Sequence, residues 1–196
     1  MKKSYIIIAV VVFLVIVLYR IFAGGYNSLV KSRETVKGAW SNVEAQYQRR
    51  SDLIPNLVST VKGAADFEKS TLEAVMNARA QATKITIDPN NITPEKLQEF
   101  QQAQSQVSGA LGRLLAVAEN YPQLKAVGNF SELQAQLEGT ENRINESRRQ
   151  YNEAAKEYNV SRSTFPRVMV ASMFGFKESP YFESDKGTEK APDVKF

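Results

Sequence analysis

The chain has 196 residues, a formal net charge of +4, no cysteine and no histidine. Disulfides and thiolate metal sites are therefore excluded, and so are the commonest general base, the commonest transition-metal ligand and the histidine partner of a nucleophilic serine. The positive charge is thinly spread, with no basic run longer than the Arg49-Arg50 and Arg148-Arg149 pairs. A nucleic-acid partner would want a basic stripe with interleaved aromatics, and none is present.

After a short flank over residues 1–4, the stretch from Tyr5 to Tyr19 carries no charge, and the apolar character resumes after Arg20 through Ile21, Phe22 and Ala23. A helix over residues 5–23 would be about 28 Å long at roughly 1.5 Å per residue, close to the hydrocarbon thickness of a bilayer. Tyr5 and Tyr19 fall where aromatic rings favour the interface, and Arg20 can snorkel to the headgroups. The competing reading is a cleaved signal peptide. Its apolar core would be unusually long, and a cut after Ala23 would place bulky Ile21 where a small residue is wanted. The expectation is an uncleaved anchor in the bilayer. Lys2 and Lys3 on one flank and Arg20, Lys31, Arg33 and Lys37 on the other nearly cancel in the positive-inside rule, so charge leaves the sidedness open.

Beyond Gly24-Gly25, read as a hinge or break, the apolar period is helical throughout and strand alternation is absent. Leu29, Val36 and Val43 recur at sevens beside Trp40, Tyr47 and Ile54, predicting a first helix over about 26–53. Pro55 is expected to end it in a bend. A second helix over about 56–84 carries Leu57, Val61, Ala64, Leu72, Val75, Ala78 and Ala82 on one face. Thr93-Pro94 is an N-cap followed by proline, opening a third helix over about 94–120 that carries Leu97, Phe100, Val107, Leu111 and Leu114. Its Gly109 and Gly112 suggest close approach of a neighbouring helix. Asn129 and Glu132 have capping-box spacing, and Phe130, Leu137, Ile144, Tyr151, Tyr158 and Phe165 then repeat at sevens in a fourth helix over about 129–165. The predicted fold is all-α: an N-terminal transmembrane helix followed by an elongated up-down-up-down four-helix bundle, with a left-handed, coiled-coil-like supercoil. Within a domain over 24–176, the apolar piece at 166–176 is expected to dock on the bundle. The polar tail over 177–196 is expected to be mostly disordered, with Tyr181-Phe182 as a last docked contact.

Several short stretches, in this order, carry a likeness to a known family. They are Gly25-Tyr26-Asn27-Ser28-Leu29-Val30, Ala39-Trp40-Ser41-Asn42-Val43, and Gln48-Arg49-Arg50-Ser51-Asp52-Leu53-Ile54-Pro55-Asn56-Leu57-Val58. Tyr121-Pro122-Gln123-Leu124-Lys125-Ala126 and Thr140-Glu141-Asn142-Arg143-Ile144 follow, then Arg148-Arg149-Gln150-Tyr151-Asn152, Tyr158-Asn159, Phe165-Pro166 and Phe174-Gly175-Phe176. Together they resemble the LemA family of bacterial membrane-anchored proteins, from the anchor to about Phe182. The resemblance implies one N-terminal span in a bacterial inner membrane and a long helical bundle, and it brings no reaction with it. Relatives anchored by a lipoprotein-type signal imply a bundle on the extracytoplasmic, periplasmic side.

Two polar clusters stand out. Arg49, Arg50, Asp52 and Asn56 surround Pro55 and form a candidate partner surface, adjacent arginines being suited to bidentate contacts. The plainer alternative is a hydrogen-bonded helix corner. Glu141, Asn142, Arg143, Arg148, Arg149 and Asn152, with Glu68 and Arg79 near the second helix's apolar stripe, read as a structural lattice of ion pairs, Glu141 lying two turns from Arg148 and Asn142 two turns from Arg149. Glu-x-x-His metal sites cannot exist without histidine, and phosphate-loop and nucleophile-elbow motifs are absent. No enzyme activity, metal or cofactor is expected. The residues suggest a membrane-tethered scaffold or adaptor, with membrane or periplasmic proteins as partners and self-assembly as a further expectation. A regulatory or sensor subunit of a membrane enzyme such as a protease, or a membrane-remodelling protein, are the competing readings.

Overall fold

The structure, a computed structural model, describes residues 2–63, 68–125 and 128–183. It is 83% helical with no strand among the described residues, which establishes the all-α class. One long helix with an apolar N-terminal part is followed by helices that pack together: α1 Lys2–Lys62, α2 Lys69–Ala82, α3 Pro94–Ala118, α4 Pro122–Lys125, α5 Gly128–Ser163 and α6 Arg167–Met173. The chain divides into two compact units, one from Met1–Arg50 with Leu137–Ser179, the other from Ser51–Gln136 with the chain from Pro180 onward.

In the first unit α1 and α5 run antiparallel. Arg50 meets Glu141, the Trp40 ring meets the Tyr151 ring, and Ser28 meets Arg167 just past the end of α5, so contacts ascend one helix as they descend the other. The sevenfold rows are the packed faces: Leu29, Val36, Trp40, Val43 and Tyr47 on α1, with Leu137, Ile144, Tyr151 and Tyr158 on α5, are all buried. Trp40 and Tyr151 are fully enclosed, their ring centroids 5.7 Å apart at an interplanar angle of 70°. Such an edge-to-face pair contributes about 1 kcal/mol beyond the area it buries. Phe165 breaks the row. Because α5 ends at Ser163, Phe165 leaves the helical period and is 75% exposed.

Gly24 and Gly25 do not interrupt α1. The expected hinge is instead a packing site: Gly25 is buried, and a Cβ there would lie 3.3 Å from Val170 Cγ2 and 3.5 Å from Arg167 Cγ. α6 lies across this point, with Val170 and Ala171 buried. The Tyr26 ring meets Phe174 and Phe176 edge-on at 5.0 and 5.6 Å, and the Arg33 guanidinium sits 5.1 Å from the Phe176 ring centre. The segment after α6 is held as well. Tyr158 donates to the Lys177 carbonyl at 2.8 Å, and Asn159 pairs with both the carbonyl and the N–H of Ser179. Within the tail expected to be mostly disordered, Lys177 and Ser179 are thus held by buried side chains, and Phe182 is itself buried. Residues 184–196 lie outside the described residues.

The second unit contains the last turns of α1, then α2, α3, α4 and the first turns of α5. Ile54, Leu57 and Val61 of α1, Leu72 and Val75 of α2, and Phe100, Val107, Leu111 and Leu114 of α3 supply much of its core. Thr93 caps α3, its hydroxyl accepting from the Lys96 N–H at 3.3 Å, with Pro94 in the first turn.

Two expectations are overturned here. Pro55 does not end the first helix; α1 continues through it to Lys62, and the next helix begins at Lys69. Ala64, expected on the second helix's apolar face, lies outside the described residues. Proline has no N–H to return to the carbonyl four residues earlier, and that carbonyl, Ser51, instead accepts from Arg79 Nε of α2 at 2.8 Å. A residue of the next helix thus replaces the bond that proline removes. Likewise, Gly109 and Gly112 do not mark a close helix approach. Both are exposed with nothing within 4 Å of a Cβ placed on them, while Ala110 and Leu111 between them are buried.

Candidate functional site

Arg50 is fully buried, 1% exposed, so the expected four-residue partner surface loses its central member. Its Nη1 donates to Glu141 Oε1 at 2.6 Å, and its guanidinium lies 5.1 Å from the Tyr47 ring centre. Placement on the same helix face as Val43 and Tyr47 turns Arg50 inward, and Glu141 of α5 neutralises it. Arg49, one position round the helix, is exposed. In the second unit Asp52 and Asn56 are also exposed, and the Asn56 carbonyl accepts from the Thr60 hydroxyl.

The polar lattice exists with different pairings from those the spacing suggested. Glu141 reaches across to Arg50, not along its own helix to Arg148. Arg149 bridges Glu146 at 2.7 Å and Glu153 at 2.7 Å on the outer face of α5, at three- and four-residue spacing instead of the two turns that would join it to Asn142. Hydrogen bonds from Arg149 and then Gln150 hold the Glu146 carboxyl below the usual carboxylate range. Asn142 and Arg143 are exposed, while Arg148 and Asn152 are half-buried. Arg79 is half-buried on the Ser51 carbonyl, whereas Glu68 is exposed and takes hydrogen bonds from Ser70 and Thr71, which lower its pKa. Glu68 is therefore a surface group at the start of α2 and no partner in the lattice. Burial raises the pKa of Glu44 on α1. Among the described residues, no three acidic side chains gather as metal ligands.

Residues 4–62 form a helix whose most apolar 18-residue window has a mean hydropathy of 3.0, with none of that window buried against the rest of the protein. A core helix of a water-soluble domain would be covered by its neighbours; this one is not. Tyr5 and Tyr19 project outward at 70% and 72% exposure. The same helix then supplies the buried rows of the packed domain.

A second apolar surface is exposed as well. Phe165, Val168, Met169, Met173 and Phe174 stand out from α6 and its flanks, although the segment was expected to be covered. Their heptad neighbours Tyr158 and Phe176 are buried, and the seven-residue α6 is too short for its outer face to declare itself by periodicity.

The sequence model of the LemA family matches residues 39–196. The chain belongs to the LemA family. The matched stretch includes Arg50, Glu141, Trp40 and Tyr151, the residues that join α1 to α5. Among characterised relatives, it is 29% identical over 194 residues to Magnetosome protein MamQ 2 of Paramagnetospirillum magneticum, covering 90% of this chain and 70% of that one. It is 28% identical over 174 residues to Magnetosome protein MamQ of Magnetospirillum gryphiswaldense, covering 80% and 64%. It is 24% identical over 170 residues to Protein LemA of Metamycoplasma hominis, covering 87% and 74%. None of these relatives bears the name of an enzyme, and each matches at least 80% of this LemA-family chain.

Proposed function

We propose that this protein is a non-catalytic membrane tether whose helical domain serves as a scaffold or adaptor. The observation that carries the reading is the continuity of α1: one helix provides both the uncovered apolar run and the buried rows that nucleate the packed domain. Load or position is thereby transferred from bilayer to domain without a joint. Relatives named as magnetosome proteins do not bear the name of an enzyme, which supports the non-catalytic part of the reading. The inward polar groups support it too, since buried Arg50 and Asn159 and half-buried Arg79 are engaged in holding the fold. Confinement to the membrane plane raises the effective concentration toward other membrane proteins, so weak contacts suffice. Exposed Arg49 is the contact we favour within the first unit, with the domain on the extracytoplasmic side and membrane or periplasmic proteins as partners.

Arg49→Glu in the full-length chain tests this. It should leave helical content and melting unchanged while removing partners captured by crosslinking from a cysteine placed at the neighbouring exposed Gln48. An unchanged set of captured partners would sink the assignment of that surface.

The continuity of α1 also favours a second reading, a regulatory subunit that transmits rotation through the membrane. A single alanine inserted between Gly24 and Gly25 would turn the downstream helix about 100° relative to the span while keeping the Gly25–Val170 contact. A scaffold should retain its partners after the insertion. A signalling subunit should alter the activity of the enzyme it serves.

A further inference from the structure

We infer that the apolar outer face of α6 lies in the interfacial layer of the same bilayer that α1 crosses, so that the protein touches the membrane at two places. The inference rests on the anchoring of α1 proposed above.

The geometry begins at Gly25. It follows the last residue of the apolar run, Ala23, by two positions, which is about 3 Å along a helix. Val170 of α6 is packed on Gly25, Arg167 reaches Ser28 at 3.2 Å, and Phe174 meets the Tyr26 ring. α6 is therefore pinned to the turn of α1 that emerges from the hydrocarbon. α1 is uninterrupted here, so no hinge lets the domain swing α6 away from that level. Phe22 and Ala23 are already half-buried, unlike Tyr19 and Ile21, so the domain's cover begins within the apolar run itself.

The face α6 turns outward has the composition of an interfacial helix. Val168, Met169 and Met173 are 41%, 52% and 67% exposed and Phe165 in the preceding turn is 75% exposed, while Phe174, packed on Tyr26, still leaves 55% of its surface uncovered. In water these side chains would form one uncovered apolar patch at a single end of the unit, a costly arrangement. At the boundary between headgroups and acyl chains they are solvated by lipid, and aromatic rings such as Tyr26 and Phe165 are favoured at that depth. The neighbouring bilayer is continuous with the surface α1 already presents to it, and it is the occupant this position requires.

The natural absence of cysteine gives a clean test in the full chain reconstituted into phosphatidylcholine–phosphatidylglycerol vesicles. An environment-sensitive fluorophore is attached in turn to Met173→Cys, Phe165→Cys, Val12→Cys and the exposed Asn145→Cys, which lies on α5 between the Glu141–Arg50 and Tyr151–Trp40 contacts, and lipids bearing a nitroxide at shallow or deep acyl positions serve as quenchers. The labels at 173 and 165 should be blue-shifted and lose most of their emission to the shallow nitroxide, that at 12 to the deep one, and that at 145 to neither. Water-like, unquenched labels at 173 and 165 beside a quenched label at 12 overturn the interfacial helix while leaving the anchor standing. Blue-shifted but unquenched labels at 173 and 165 also overturn it, because a second protein copy would then cover the face. Loss of quenching at 12 would show that the anchor itself is wrong, and the inference falls with it.

Discussion

Arg79 makes the case that a single side chain can license a proline inside a helix. The Ser51 carbonyl, deprived of its helical partner by Pro55, takes its hydrogen bond from Arg79 Nε. Arg79→Met should cost about 1–3 kcal/mol, the usual penalty for stranding a buried acceptor. In a Pro55→Ala background the restored N–H satisfies Ser51, so the same replacement should cost at least about 1 kcal/mol less. Chemical denaturation of the four proteins in this cycle measures the coupling, and additive effects would refute the substitution of one donor for another. Arg50 and Glu141 present an asymmetric case. The Arg50 side chain is 2% exposed and that of Glu141 38%, so removing the carboxylate takes a counter-charge from a buried cation, whereas removing the cation leaves a carboxylate that water reaches. Glu141→Leu should therefore destabilise by about 3 kcal/mol, Arg50→Met by less, and the two together should recover much of the loss. Equal losses in the two single variants would show that packing, not desolvation, governs the pair.

At the scale of elements, the heptad rows were legible because burial imposes a period on any helix that packs along its length. Phe130 through Tyr158 on α5 and Leu29 through Tyr47 on α1 are buried as their spacing requires. The glycines were not legible, since the residue looks the same whether it yields space to a neighbour or faces solvent. Gly25 yields space; Gly24, Gly109 and Gly112 do not. Gly109→Ala and Gly112→Ala should each raise stability by roughly 0.5–1 kcal/mol through reduced freedom of the unfolded chain. Gly25→Val should instead lower it by forcing Val170 and Arg167 away, and thermal melts of the three variants would sort these roles. A gain at Gly25 comparable to those at Gly109 and Gly112 would contradict the close packing of α6. The end of α1 was missed for a related reason. Local propensity predicts a stop at Pro55, and only a donor placed by a later helix lets the helix continue.

For the whole molecule, the remaining directional question is which side of the membrane the packed helices occupy. The flanking charges nearly balance, so the resemblance-based expectation of an extracytoplasmic domain is kept as a proposal. Ser4 and Ser131 are both exposed, and the chain has no native cysteine to confuse labelling. With single cysteines at these positions, a membrane-impermeant maleimide applied to intact spheroplasts should label position 131 and spare position 4. The reverse pattern would place the domain in the cytoplasm. The candidate functional surface was partly legible at this scale: the sequence pointed to the Arg49-Arg50 pair, but one arginine of the pair is inward-facing and the other outward-facing.

The sequence by itself determined that this is an all-helical LemA-family protein with one apolar run able to cross a bilayer, because hydropathy and heptad period are properties of neighbouring residues. Only the tertiary structure decided which polar side chains are used up in holding the fold. It also showed that α1 passes unbroken from the apolar run through Gly25 and Pro55, and that α6 turns an apolar face outward beside the end of that run. Each of these depends on an atom contributed by a residue distant in the chain, Arg79 for Pro55, Glu141 for Arg50 and Val170 for Gly25, and local spacing carries no record of such partners.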